Sequence, residues 1–100
     1  MIQIRHETAK RKGMFIVDDD EGKRIAEMDY FANAPGEITI YHTEVDEKHR
    51  GEGLGRDLVE AAVKHARENK LRIIPKCQFA AGVIEDTPEF QDVVSTSSSQ

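Results

Sequence analysis

The chain has 100 residues, of which 38% are hydrophobic and 33% are charged, and its formal net charge is −5. This balance is typical of one globular domain, which we predict over residues 1–94, followed by a disordered tail over residues 95–100. The negative charge argues against a nucleic-acid partner and against binding to an anionic membrane, and no stretch approaches the roughly 20 apolar residues of a membrane span. We find no signal-peptide pattern and expect a cytoplasmic protein. A single cysteine, and no Cys/His spacing typical of zinc, predict neither a disulfide nor a metal site.

Alternating apolar and polar residues predict four strands in the first half of the chain, separated by turn-forming residues. The predicted strands cover residues 2–4, 14–17, 24–31 and 37–45, with a charged turn over 7–13 and an acidic hairpin loop over 18–22. Because short turns join neighbouring strands, we predict an antiparallel meander. The fourth strand is the clearest, and regular alternation places His42 on the same face as Ile38 and Ile40, opposite to Tyr41.

The second half predicts two helices and one more strand. Apolar residues recur at helical spacing from Leu54 to Ala66, which indicates an amphipathic helix that ends near Asn69. A fifth strand over 71–74 should pair in parallel with the fourth, because a helix lies between them in the chain. Residues 77–85 predict a short helix weakened by Gly82, and residues 89–94 predict a final strand or turn. The predicted fold class is therefore α/β (α+β), with a mixed, mostly antiparallel sheet of five or six strands.

A glycine-rich loop lies between the fourth strand and the main helix: Arg50-Gly51-Glu52-Gly53-Leu54-Gly55-Arg56. Glycines at such a junction imply a sharp turn or the close approach of another group, and a helix N-terminus flanked by two arginines favours an anion. The loop does not fit a Walker A motif, which requires Lys-Ser/Thr after its last glycine, or the G-x-G-x-x-G spacing of dinucleotide sites. From the residues alone, the loop is an anion site whose ligand is open.

The pattern Arg50-x-x-Gly53-x-Gly55 resembles the acyl-CoA pyrophosphate signature, Q/R-x-x-G-x-G/A, of the GNAT superfamily of N-acetyltransferases. Segments 42–45, 73–80 and 88–91 also resemble the very small GNAT-like proteins of about this length. The resemblance implies acetyl-CoA as cosubstrate, an amine as acceptor, and a splay between strands four and five that takes the pantetheine arm. The residues that it implies in coenzyme A binding are Thr43, Glu44 and Val45 through the main chain, and Arg50, Gly51, Gly53, Gly55 and Arg56 in the loop.

Two residues are candidates for catalysis. Cys77 directly follows the fifth strand, near the implied splay, and is a candidate nucleophile or proton donor to the coenzyme A thiolate. A lone cysteine in a small domain is more simply a buried small side chain. His42 matches a histidine typical of the small GNAT-like group and is a candidate general base or activator of Cys77, against the simpler role of a hydrogen-bonded structural residue. Three aromatic residues are predicted to lie in the core: Tyr41, Phe79 and Phe90.

We therefore predict an acetyl-CoA-binding protein that transfers an acetyl group to an unidentified amine. The alternatives are a non-catalytic acyl-CoA sensor or interaction module, and an anion-binding domain unrelated to coenzyme A. Full-size GNAT enzymes have one or two helices between their first two strands, and residues 10–13 leave no room for these helices, so the predicted acceptor site is open. We expect a monomer or a weak homodimer.

Overall fold

A computed structural model describes residues 3–32 and 34–95, so residues 96–100 of the predicted tail lie outside the described residues. Within these described ranges, five strands form one sheet in chain order. The strands are β1 (Ile4–Ala9), β2 (Lys12–Asp18), β3 (Arg24–Phe31), β4 (Glu37–Val45) and β5 (Arg72–Pro75). The first four strands run antiparallel to their neighbours and β5 runs parallel to β4, which confirms the predicted mixed sheet.

The first hairpin is longer than the sequence predicted. β1 extends through residues 7–9, which were predicted as a turn, and only Lys10 and Arg11 form the turn itself. β1 is an edge strand, and nearly all its side chains are exposed. Its residues are therefore mostly charged and do not show the alternation of apolar and polar residues that predicts a strand. Charged residues are common on edge strands, where they discourage pairing with other chains.

Two helices cover one face of the sheet, which we call the inner face. They are α1 (Leu54–Asn69) and α2 (Gln78–Glu85), and both were predicted. The apolar stripe of α1 is buried against the sheet, and α2 adds Ala80 and Ile84 to the same core. α1 ends where Lys70 adopts a left-handed conformation with φ of 58°. None of the described helices has the length and apolar character that a membrane crossing requires.

The last described residues return to the sheet. Residues 88–93 form a 3-10 helix rather than a strand, and Val94 then makes a parallel bridge to Ile73 of β5. The main-chain N–H of Ser95 donates a hydrogen bond to the carbonyl of Ile73 at 2.9 Å. The first residue of the predicted tail is therefore attached to β5.

A bulge in β4 decides which side chains face the two sides of the sheet. Ile40 lies opposite Tyr30, but His42 lies opposite Asp29, so Tyr41 is an extra residue in β4. The alternation restarts after the bulge, and His42 lies on the outer face, the side of the sheet opposite the helices. The prediction that His42 shares a face with Ile38 and Ile40 is therefore wrong. Tyr41 was predicted to lie in the core and is instead 40% exposed.

Candidate functional site

A groove of about 570 Å³ opens between the end of β4, the glycine loop and the two helices. All eight residues predicted to contact coenzyme A line it, together with four others. The eight are Thr43, Glu44, Val45, Arg50, Gly51, Gly53, Gly55 and Arg56, and the four are His49, Leu54, Phe79 and Val83. Residues spread over four elements of the chain therefore meet at one surface.

The groove exists because β4 and β5 diverge. Their pairing covers only four residues of each strand and stops where Ile40 lies beside Pro75. The main-chain N–H groups of Lys76 and Cys77 both donate to the carbonyl of Ile40, at 2.9 and 3.0 Å, as the chain turns away into α2. β4 continues to Val45 with β3 on one side and, among the described strands, none on the other. This divergence leaves main-chain groups of β4 open to the groove.

The glycine loop owes its path to two left-handed glycines. Gly51 has φ of 89° and Gly53 has φ of 84°, values that residues with a Cβ rarely adopt. Open space surrounds both positions, so the requirement for glycine is conformational. Gly53 is also the N-cap of α1 and has no side chain to accept a hydrogen bond from the first N–H groups of the helix. These N–H groups are therefore available to an anion in the groove.

Gly55 is needed for a different reason. A Cβ at this position would lie 2.5 Å from the ring of Phe79, which packs against the helix there. Phe79 was predicted to be a core residue, but it is 46% exposed and forms one wall of the groove with Val83, one turn further along α2. The absence of a side chain at Gly55 therefore lets the Phe79 ring lie against the first turn of α1.

The two arginines of the loop have different surroundings. Arg50 is exposed, and its Nε lies 3.4 Å from the carbonyl of Val45, so its charge faces the groove. Arg56 donates a hydrogen bond to the Thr87 hydroxyl at 3.1 Å, and its guanidinium lies 5.7 Å from the centre of the Phe90 ring. The sequence suggested that a cation at the start of α1 needs a bound anion. These contacts give Arg56 a structural role as well.

Cys77 is the N-cap of α2, and its Sγ lies 3.5 Å from the Thr43 hydroxyl oxygen. Burial alone would raise the pKa of the Cys77 thiol. Hydrogen bonds from the Thr43 side chain and from main-chain groups of Ala80, Phe79 and Thr43 outweigh it and hold this pKa below its usual value. A thiol at a helix N-terminus with such donors has increased thiolate character, which suits a nucleophile or a proton donor.

The bulge separates the two predicted catalytic residues. Thr43, which contacts Cys77, pairs with Met28 on the inner face, whereas His42 pairs with Asp29 on the outer face. The Nε2 of His42 lies 3.4 Å from a carboxylate oxygen of Glu44, and this histidine is not among the groups that act on the Cys77 pKa. Any catalytic role of His42 therefore concerns a group on the outer face.

Sequence reasoning overlooked two acids beside His42. Glu27 and Asp29 belong to β3, and their carboxylate oxygens and a ring nitrogen of His42 all lie within 4.8 Å of one another. Burial and the charge of Glu27 raise the pKa of Asp29. The alternation of β3 could have indicated that both acids share the outer face, but only the paired register connects them to His42.

The comparisons with known proteins agree with this geometry. A family model described as GCN5-related N-acetyl-transferase matches residues 14–93. A GCN5-like protein from Staphylococcus aureus, solved by NMR, is 39% identical to this chain, covers 93% of it and 87% of its own length, and has a TM-score of 0.71. No curated protein sequence matches the chain at a significant level.

Two enzymes from Escherichia coli share the fold over parts of larger chains. A ribosomal-protein alanine N-acetyltransferase is 20% identical with a TM-score of 0.67, and the alignment covers 80% of this chain and 54% of the enzyme. A GNAT family N-acetyltransferase in complex with CoA is 25% identical with a TM-score of 0.57, and the alignment covers 63% of this chain and 38% of that protein. The family-model match and the Staphylococcus aureus relative show that the chain belongs to the GCN5-related N-acetyltransferase family.

Proposed function

We propose that this protein binds acetyl-CoA in the groove and transfers the acetyl group to an amine. The observation that carries the proposal is that all eight residues implied in coenzyme A binding line one groove, where β4 leaves β5. The pyrophosphate would bind at the N-terminus of α1, where Gly51 and Gly53 keep the main chain free of side chains and Arg50 supplies positive charge. The related enzyme from Escherichia coli in complex with CoA supports this choice of ligand.

The pantetheine arm would lie along the open edge of β4. Thr43 and Val45 line the groove on this edge, and Phe79 and Val83 offer apolar contact from the opposite wall. A ligand bound in this way adds a strand-like partner to main-chain groups that no described strand satisfies. Its thioester end would reach the region of Cys77, which contacts Thr43.

The transfer would proceed by attack of the amine nitrogen on the thioester carbonyl. The carbon–nitrogen bond forms, the carbon–sulfur bond breaks, one proton passes from nitrogen to a base, and coenzyme A leaves as a thiolate that accepts a proton. We assign the base to His42, which suits an amine arriving from the outer face, and the proton donor to Cys77. In a variant route the Cys77 sulfur attacks first, coenzyme A leaves as thiolate, and the amine then attacks the acetylated cysteine.

The second candidate is a non-catalytic acyl-CoA-binding module. It is favoured by the connection between β1 and β2, which is only the turn at Lys10 and Arg11. This connection leaves no room for the helices that flank the acceptor site in full-size members of the family. A module of this kind would keep the groove and lack acetyl transfer.

Calorimetric titration of the full chain with acetyl-CoA, coenzyme A and inorganic phosphate tests the binding step. We expect acetyl-CoA to bind and phosphate alone to bind much more weakly. Arg50→Gln should weaken acetyl-CoA binding several-fold, whereas Arg11→Gln, which removes the same charge from the exposed β1–β2 turn, should leave it unchanged. Equal affinities of the two variants would refute the proposed pyrophosphate site.

Incubation with labelled acetyl-CoA, first alone and then with a panel of amines, tests the chemistry. Acetylated amine in the product supports the transferase. Label on Cys77 in the absence of amine supports the two-step route, and a Cys77→Ala variant with full activity refutes any catalytic role of the thiol. Binding without transfer to any amine, and without label on the protein, supports the non-catalytic module.

A further inference from the structure

Thr87 is a buried polar residue between α2 and the 3-10 helix that follows it. It is 5% exposed, and among the described residues it is the only buried residue with a polar or charged side chain, tyrosine apart. Its main-chain N–H donates to the carbonyl of Ile84 at 3.1 Å, and its carbonyl accepts from the N–H of Phe90 at 2.9 Å. These bonds fix the main chain at Thr87, and a β-branched side chain has few rotamers to choose from.

The Thr87 hydroxyl does not act where a threonine at this position usually acts. Thr87 is the N-cap of the 3-10 helix, and an N-cap threonine commonly accepts a hydrogen bond from one of the first N–H groups of its helix. Within the described structure its side chain makes no such bond. The hydroxyl oxygen accepts from Nη1 of Arg56 instead, at 3.1 Å, across 31 positions of the chain. The hydroxyl therefore serves the first turn of α1 and not its own helix.

The segment that begins at Thr87 also places an aromatic ring beside the same arginine. The Phe90 ring is buried, and its centre lies 5.7 Å from the guanidinium carbon of Arg56, a distance typical of a cation–π contact. Further along, Arg67 of α1 donates to the carboxylate of Asp92 at 2.9 and 3.1 Å, and the bridge to β5 follows. The hydroxyl and the ring therefore belong to a segment, residues 87–95, that is attached to both α1 and β5.

The charge of Arg56 has no carboxylate partner in the described part of the chain. Arg5, Arg24 and Arg67 each form an ion pair with a carboxylate, whereas the partners of Arg56 are a neutral hydroxyl and a ring. A guanidinium has several N–H donors in a fixed planar arrangement, and Thr87 accepts from only one of its nitrogen atoms. The other N–H groups of Arg56 remain available to an anion in the groove, which this side chain lines.

The two contacts matter because of where Arg56 lies. It is an exposed residue in the first turn of α1, where the helix dipole disfavours a cation unless an anion is bound. A long side chain that is ordered only when a ligand binds lowers the affinity for that ligand. The hydrogen bond to Thr87 and the contact with Phe90 bring part of this ordering into the free protein.

We propose that Thr87 and Phe90 are positioning residues that hold the Arg56 guanidinium in place for the phosphates of coenzyme A. Arg56 keeps its bond to Thr87 through Nη1 and donates to phosphate oxygens through its other N–H groups. Neither Thr87 nor Phe90 lines the groove, so segment 87–95 controls the affinity for the cosubstrate without touching it. This inference rests on the proposed binding of acetyl-CoA in the groove.

The coupling acts in both directions. If the contact between Arg56 and Thr87 raises the affinity for acetyl-CoA, bound acetyl-CoA stabilises this contact by the same factor. The amide of Phe90, which donates to the Thr87 carbonyl, should therefore exchange its hydrogen with solvent more slowly when acetyl-CoA is bound. Hydrogen exchange followed by NMR measures this change at a residue outside the groove.

Calorimetric titration of the full chain with acetyl-CoA tests the role of the hydroxyl. Thr87→Val replaces the hydroxyl with a methyl group and should weaken binding about fivefold, the effect expected when one long side chain must be ordered on binding. Thr87→Ser keeps the hydroxyl and should restore most of the affinity. Thr8→Val, the same chemical change at an exposed position of β1, should leave the affinity unchanged.

A double-mutant cycle separates positioning from a general loosening of the protein. In an Arg56→Gln background, Thr87→Val should have no further effect on acetyl-CoA affinity, because the hydroxyl acts only through the guanidinium. Phe90→Leu, which keeps an apolar side chain in the core and removes the ring, should follow the same pattern. Urea unfolding verifies that each variant is folded, and Thr87→Ala replaces Thr87→Val if the latter does not fold.

Three outcomes would overturn the inference. They are equal affinities of Thr87→Val and Thr8→Val for acetyl-CoA, the same loss of affinity from Thr87→Val with and without the Arg56 side chain, and faster exchange of the Phe90 amide when acetyl-CoA is bound. Each of them, found together with binding of acetyl-CoA by the unsubstituted protein, refutes only this inference. Absence of acetyl-CoA binding by the unsubstituted protein refutes the proposed function, and this inference with it.

Discussion

Two helical glycines provide a sharp test of the packing around the groove. Gly55 lies in the first turn of α1, and Gly82 lies inside α2. A Cβ at Gly55 would lie 2.5 Å from the Phe79 ring, whereas a Cβ at Gly82 would meet nothing within 4 Å. The same substitution, glycine to alanine, should therefore have opposite effects at the two positions.

The expected magnitudes follow from two competing terms. Alanine in place of glycine inside a helix raises the free energy of unfolding by about 0.5–1 kcal/mol, and no other effect is expected for Gly82→Ala. Gly55→Ala adds an overpacking cost, typically about 1–3 kcal/mol, which the exposed Phe79 ring lowers by rotating away. We expect a net loss of about 1 kcal/mol, or about 4–8 °C in Tm for a domain of this size.

Urea unfolding measures the stability of both variants, and calorimetry measures their affinity for acetyl-CoA. Because the displaced Phe79 ring moves within the groove wall, Gly55→Ala should also weaken acetyl-CoA binding, whereas Gly82→Ala should not. In a Phe79→Ala background the penalty of Gly55→Ala should disappear. The reasoning is refuted if Gly55→Ala stabilises the protein as much as Gly82→Ala, or if its penalty persists without the ring.

Three further predictions concern individual contacts. The rate of Cys77 alkylation should reach its plateau at a lower pH than the rate for an ordinary thiol does. Thr43→Val should move the pH profile of this rate to higher pH, because the substitution removes a hydrogen bond that lowers the Cys77 pKa. Identical profiles for the two proteins would contradict this prediction. Burial lowers the pKa of both His6 and His65, so the unfolded chain binds protons before the folded chain does. The free energy of unfolding should therefore fall as pH drops below the unfolded pKa of about 6.5. Urea midpoints that do not change with pH in this range, or that change equally in His65→Gln, would refute this prediction. Arg56→Gln should lose about 1 kcal/mol of stability without any ligand, through its hydrogen bond and ring contact, and an unchanged Tm would show that these contacts contribute nothing.

Local patterns were sufficient to predict most of the architecture. The helical spacing of α1 and the dense β-branched character of β4 are properties of neighbouring residues, and both elements have the predicted bounds. The parallel pairing of β4 and β5 follows from the helix between them, which requires a crossover. The position of the glycine loop was also predictable, because the loop lies where the alternation of β4 ends and the helical spacing of α1 begins.

Features that depend on contacts between distant segments were not predictable. The bulge at Tyr41 is a property of the register between β3 and β4, and a period of two in one strand carries no sign of it. Phe79 belongs to a short helix that is apolar on several sides, so its spacing does not tell which side faces the core. The cluster of Glu27, Asp29 and His42 likewise forms only when two strands pair.

The bulge also changes how β4 should tolerate substitution. In a regular strand, positions that require apolar or close-packed side chains alternate with positions that accept almost any residue. Here the buried positions Ile38 and Ile40 are followed by two consecutive exposed residues, Tyr41 and His42, before the alternation resumes at Thr43. A saturation-mutagenesis map of folding stability along β4 should therefore show two adjacent permissive positions. Deletion of Tyr41 should therefore destabilise the protein less than deletion of Thr43. Without Tyr41, every later residue of β4 stays on its own side of the sheet. Without Thr43, the two residues that follow exchange sides.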